Sequence, residues 1–253
     1  MAKRQPFFNA PPVVLIFIAG FIALHLFRTL ALPADQAIWL SWALAFIPGR
    51  YGGLDQAVVA QIPGGDWAAF TSPLSHAFVH GDYAHLFLNS AWMLAFATPL
   101  AWRIGTPRFI MFFAVCALAG ALVFWGVHYG LFAPVVGASG AISGLMGGAF
   151  RFMFARPVYV GMEARLDEEA FTVPRARPIL PLMPLREALA NRQVVSMTLV
   201  FVAINLALAL VPLELSGGRI AWEVHLGGYV AGFLLFGLFD PRHLRRQHLE
   251  ALQ

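Results

Sequence analysis

Three short stretches hold the residues whose types could do chemistry together. In VVGASGAISGLMGG (residues 135–148), Ser139 and Ser143 stand among glycines, with almost nothing charged for a dozen residues on either side. In SHAFVHGDYAHLFLNS (75–90), His76 and His80 lie four residues apart, as do His85 and Asn89, and such pairs project from one face of a helix. In EVHLGGYVAG (223–232), Glu223 and His225 precede Gly228 and Gly232. A hydroxyl, an imidazole and side-chain N–H donors are the parts of a hydrolytic site. A Ser hydroxyl is a poor nucleophile at its own pKa, so a neutral His must take its proton and return it to the leaving group. The oxyanion made by attack on a carbonyl needs donors aimed at it. The rival chemistry is a metal site built on the histidine pairs. Against it, no His-Glu-x-x-His occurs and no acidic residue lies inside the His85–Asn89 helix. Asp82 precedes that helix and reads as its cap, and Asp55 falls in a connecting loop. The expectation from the residues is therefore no metal.

The elements that must position these residues are membrane spans. Of 253 residues, 59% are hydrophobic and only 12% charged, about half the charge of a soluble domain, and the mean hydropathy is +0.70. Apolar runs near Val13–Leu32, His85–Trp102, Phe109–Val127, Ser139–Met153, Val194–Val211 and Val224–Phe239 are long enough to cross a bilayer, the shorter ones where it thins locally. The fourth and sixth are short and rich in Gly and Ala, which suits helices packed at the centre of a bundle. The fold class expected is all-α, a polytopic bundle of six transmembrane helices. The Met-Ala-Lys-Arg start lacks a convincing cleavage site and reads as leading into an uncleaved first span.

With the N-terminus inside, fourteen Lys and Arg residues fall on the cytoplasmic side, and only Arg28, Arg50 and Arg219 fall outside. That bias orients the chain. It also explains the net charge of +4 and the pI near 9.7 through anionic lipid, with no pattern for nucleic acid. One membrane domain is expected over 1–253, with a cytoplasmic N-terminal tail (1–12), an outer loop (33–84), a cytoplasmic loop (154–193) and a cytoplasmic C-terminal tail (241–253). The outer loop holds IWLSWALAF and DWAAF, segments suited to lying in the interface. In this topology the second, fourth and sixth spans all enter from outside. Their first turns share one depth, bringing His85 and Asn89, Ser139 and Ser143, and Glu223 and His225 to a common level.

Each feature also has a plainer reading. Gly140, Gly144 and Gly148, like Gly228 and Gly232, recur every four residues and form helix-packing motifs. An intramembrane His such as His225 can be hydrogen-bonded structure. His25 and His128 read as structural or interfacial, His243 and His248 belong to the tail, and the lone Cys116 reads as packing. Glu223, two residues from His225, points away from it on a helix.

Together GASG (137–140), HAFVHGDYAHLFLN (76–89) and HLGGYVAG (225–232) resemble the rhomboid intramembrane serine proteases in their basic six-helix bacterial form. The order of the motifs is specific where each alone is weak, and the resemblance runs from the first span through the sixth. It implies Ser139 as nucleophile and His225 as general base and acid, in a dyad without an acidic third member. It implies His85, Asn89 and the Ser139 backbone N–H as oxyanion donors, with His80 supporting the region; His76 has no assigned role. Gly137 and Gly140 are expected to leave room for substrate backbone, and Gly228 and Gly232 to let the sixth span close on the fourth. The substrate implied is a single-span or polytopic membrane protein, cut near the outer end of a transmembrane helix in a bacterial plasma membrane. Some relatives carry a Tyr one turn after the nucleophile, where this chain has Ser143, and that departure bears on how His225 is packed. The alternative is a catalytically silent rhomboid-like protein that binds membrane clients. A transporter is disfavoured, since no inverted repeat or broken midplane helix is visible.

Overall fold

The computed structural model describes residues 10–160, 177–210 and 221–241. Lys3, Arg4, Arg165, Arg175, Arg219, Arg242, Arg245, Arg246, His243 and His248, used above to assign sides and tails, lie outside them. Proline, with its fixed φ and missing N–H, suits a helix start, and α1 (Pro12–Leu26) opens on Pro12 and runs into a wider turn at Phe27–Ala31. The connecting region then folds as α2 (Ala34–Leu44), the single turn α3 (Gln56–Val59) and α4 (Gly65–Ser75). Tyr83–Ile104 forms α5, Thr106–Val127 forms α6, and Ser139–Met153 forms α7. Gly105 alone separates α5 from α6, at φ 78°. A short antiparallel pair, β1 (Val158–Val160) with β2 (Arg177–Ile179), precedes α8 (Leu185–Ala190), α9 (Arg192–Leu210) and α10 (Trp222–Phe239). The expected spans therefore coincide with α1, α5, α6, α7, α9 and α10 within a few residues.

Pro12–Ala31, α6, α9 and α10 are each long and apolar enough to cross a membrane. The chain is a polytopic helical membrane protein. The 15-residue α7 is too short for that criterion, and its place explains why: all but three of its residues are buried. It sits behind α5, α6 and α10 rather than against lipid. Its closest neighbour is α10. A Cβ on Gly228 would overlap the Gly140 carbonyl oxygen, and one on Gly232 would overlap that of Gly144, so the two backbones touch where side chains would otherwise hold them apart. On α6, Cys116 packs against Gly144. A cluster of Phe17, Phe21, Phe78, Phe109 and Phe113 joins α1 to α6.

At the end of the bundle opposite Ser139, two arginines are fully engaged. The Arg103 guanidinium donates to Asp240 Oδ2 at 2.8 and 3.2 Å and to the Leu180 carbonyl at 2.7 Å. Arg151 donates to the carbonyls of Met183 and Phe233. Charges this buried persist only when paired or hydrogen-bonded. Leu180 and Met183 belong to the segment expected to be a solvated loop, so part of that loop packs into the bundle.

By contrast, α9 buries only Val194 and Asn205. Its large apolar side chains, including Leu199, Val200 and Ile204, are exposed, as befits a helix against lipid.

Candidate active site

The site begins with the turn that delivers Ser139. Residues 131–137 are pinned to the α2–α4 region by backbone bonds: Phe46 and Val135 exchange both N–H···O contacts at 3.1 and 2.9 Å, Gly49 N–H donates to Leu131 O, and Gly137 N–H donates to His76 O at 2.9 Å. That last bond gives His76, unassigned from sequence, a backbone role. The His76 side chain is buried and donates Nδ1–H to the Ser72 carbonyl at 3.0 Å. Gly137 has φ 119°, a conformation that a side chain rarely adopts. Ser139 is the first residue of α7, so its N–H is among the first-turn donors that have no partner within a helix.

From α10, His225 reaches Ser139 with Nε2 at 2.8 Å from Oγ. Its other nitrogen, Nδ1, is 2.7 Å from Asn205 Oδ1 on α9. Asn205 in turn donates Nδ2–H to the Phe201 carbonyl at 2.8 Å. The approach of α10 depends on the glycine contacts described above, and Gly140 adds to them, since a Cβ there would collide with Val224 of α10. At Gly137 a Cβ would stand 2.6 Å from His85 Nε2. That glycine makes room for an imidazole.

His85 and Asn89 rise from the first two turns of α5, one above the other. Asp82 caps this helix, accepting from His85 N–H at 2.8 Å. Both side chains face the turn before Ser139: the Cβ position of Gly137 is 2.6 Å from His85 Nε2 and 3.7 Å from Asn89 Nδ2. His80 stacks edge-on against His85 with centroids 5.2 Å apart, and neither of its ring nitrogens has a partner among the described residues. Burial, with help from the neighbouring His85, pushes the His80 pKa down to about 3, so this imidazole is neutral. The loop carrying His80 is held by Arg28, which donates to the His80 carbonyl at 2.6 Å and to Ser41 Oγ at 3.0 Å. Sequence reasoning counted Arg28 only as an outer charge. Its signal was there, a lone cation at the end of a span.

The remaining polar groups are engaged elsewhere. Ser143 donates its hydroxyl to the Ser139 carbonyl at 2.7 Å. Glu223 lies 3.1 Å from His128 Nε2 and does not orient His225. Among the described residues no three His, Cys, Asp or Glu side chains are grouped to hold a metal. The arrangement thus offers a hydroxyl beside an imidazole nitrogen, a partner on the far side of that imidazole, and amide and imidazole donors facing the same turn.

A family model described as the rhomboid domain matches residues 66–167. That segment contains His76, His80, His85, Asn89, Gly137 and Ser139, while Asn205 and His225 lie beyond it. The chain is 28% identical over 160 residues to the rhomboid YdcA of Bacillus subtilis (strain 168), covering 63% of this chain and 71% of that protein. It is 26% identical over 186 residues to the mitochondrial Rhomboid protein 1 of Saccharomyces cerevisiae (strain ATCC 204508 / S288c), covering 72% of this chain but only 45% of the yeast protein. The helical bundle, the rhomboid domain matched over residues 66–167 and these relatives agree, and together they support a rhomboid family protein.

Proposed function

We propose that this protein is an intramembrane serine endopeptidase in which Ser139 attacks a peptide carbonyl and His225 serves as general base, then as general acid. The observation that carries the reading is the 2.8 Å approach of His225 Nε2 to Ser139 Oγ. In the first step the Oγ–H proton passes to Nε2 as Oγ bonds to the carbonyl carbon. In the second, that proton goes to the leaving amine as the C–N bond breaks, leaving an acyl-enzyme that water hydrolyses. Asn89 Nδ2, His85 Nε2 and the Ser139 N–H are the oxyanion donors of this reading, the last with the electrostatic support of a helix N-terminus.

The substrate is a transmembrane segment of a single-span or polytopic protein, with no cofactor required. Ser139 opens a short helix, so the site lies near one face of the bilayer, where water for deacylation can enter. A substrate helix has to unwind to present its backbone there, which favours helix-destabilising residues around the cut. The Lys and Arg bias favours both termini in the cytoplasm and the Ser139 end outside, and the six-helix layout favours a bacterial plasma membrane.

The test is cleavage of a single-span model substrate in proteoliposomes by wild type, Ser139→Ala, His225→Ala and Ser143→Ala. Product from wild type and Ser143→Ala alone is the expected result. Product that survives Ser139→Ala contradicts the assignment, and intact substrate bound by an inactive wild type would instead favour a client-binding role.

A further inference from the structure

The reading of His225 as a base leaves open what determines which of its nitrogens carries the proton. We propose that Asn205 of α9 is a positioning residue that fixes His225 in the tautomer able to accept the Ser139 proton. The inference rests on the proposed hydrolytic role of His225. The Phe201 carbonyl can only accept, so the side-chain nitrogen of Asn205, 2.8 Å away, is the group that faces it. Oδ1 is thereby turned to His225 Nδ1 at 2.7 Å. Since Oδ1 is also only an acceptor, Nδ1 must hold the ring proton. Nε2 is then left with a lone pair towards Ser139 Oγ. The other tautomer would set two acceptors against each other at Nδ1 and leave Ser139 facing an N–H. Asn205 itself is 3% exposed on a helix that buries only one other residue, Val194, and a buried amide at such a place is costly without its partners.

The bond also ties a sparsely buried span to the reacting group. Along one stripe of α9, Thr198 hydrogen-bonds Tyr229, Phe201 stacks on the Tyr229 ring with centroids 4.8 Å apart, and Asn205 meets His225. His225 is oriented only while this stripe rests on α10.

Two variants separate positioning from packing. Asn205→Leu keeps the volume and removes the acceptor. Asn205→Asp, as the neutral acid, can donate to Phe201 and still accept from Nδ1–H. Each is compared with wild type for substrate cleavage and for the 15N shifts of His225 in histidine-labelled protein in bilayers, assigned by their loss in His225→Ala. Expected are an Nδ1–H tautomer in wild type and a mixture of tautomers in Asn205→Leu. The latter should also lose about tenfold in kcat, the scale of one buried hydrogen bond, with KM little changed. Asn205→Asp should restore the Nδ1–H signal and most of the rate. An unchanged Nδ1–H signal and rate in Asn205→Leu overturns the proposal, as does equal loss in both variants, which would mean packing alone. Failure of the hydrolytic reading has its own signature, an inactive wild type in which Asn205→Leu still mixes the tautomers.

Discussion

Ser139 and Ser143 carry the same side chain one helical turn apart, and their surroundings separate them. Ser143 gives its proton to a backbone carbonyl, whereas Ser139 faces an imidazole. The resemblance implies Ser139, and the glycines beside it, Gly140 and Gly137, leave room for Val224 and His85. Asn89 tests the oxyanion part of the proposal. In Asn89→Ala, kcat is expected to fall by about 100- to 1,000-fold, the cost of losing one such donor, with KM nearly constant; a change confined to KM would point to substrate binding instead. His76 makes a separate prediction about stability. Burial holds its pKa down to about 4 in the fold, against 6.5 for the free side chain. The unfolded chain therefore takes up a proton that the folded one refuses as pH drops below 6.5. Stability from this group is full above about pH 7 and declines between 6.5 and about 4, by up to about 3 kcal/mol. Melting temperatures in detergent across that window should fall more steeply for wild type than for His76→Gln, and parallel curves would contradict the assignment. The residues of the three motifs stand out in the sequence because the chemistry proposed for them demands particular side chains. Asn205 was passed over because it stands outside them, on an apolar helix with no neighbouring polar signal, although a lone amide inside a span was itself a reason to look.

The elements were legible because bilayer physics narrows the choices: apolar runs of span length become helices, and the Gly-rich ones go to the centre. Asp82 as the cap of α5 followed from local chemistry in the same way. What sequence could not give was the register between elements. The backbone contact of α7 with α10 sets the separation across which His225 reaches Ser139, and Gly228 and Gly232 are its closest points. Gly232→Ala adds one methyl where the Gly144 carbonyl already stands, so the helices must part. The expected outcome is a loss of about 1–3 kcal/mol in stability together with a fall in kcat larger than that of a surface Gly→Ala change. Unchanged unfolding and activity would show that α10 can shift freely, contrary to the packing described. The region between α1 and α5 was anticipated only as interfacial segments. Its backbone ties to residues 131–137, through Phe46, Gly49 and His76, join chain positions about 60 to 90 residues apart, and no local pattern reports such pairings.

For the whole molecule, the two ends of the bundle are built on different principles. The end opposite Ser139 is closed by charges that satisfy one another, with Arg103 on Asp240 and Arg151 on backbone carbonyls. The Ser139 end instead gathers polar groups that face a turn and an imidazole. That contrast suits a protein whose stability and chemistry reside at opposite ends, and the buried ion pair was not foreseen because its partners are 137 residues apart. The polarity of the chain makes the Ser139 end common to the starts of α5, α7 and α10, so their common depth follows from the order of the spans. Whether the hydroxyl gathered there is activated can be measured without knowing the natural substrate. The most direct measurement is reaction of the purified protein in bilayers with a fluorophosphonate, followed by mapping of the modified residue by mass spectrometry. The expected result is a covalent adduct on Ser139 in wild type and in Ser143→Ala, and none in His225→Ala. An adduct on Ser143, or labelling of Ser139 that persists undiminished without His225, would overturn the assignment of Ser139 and His225 as a dyad.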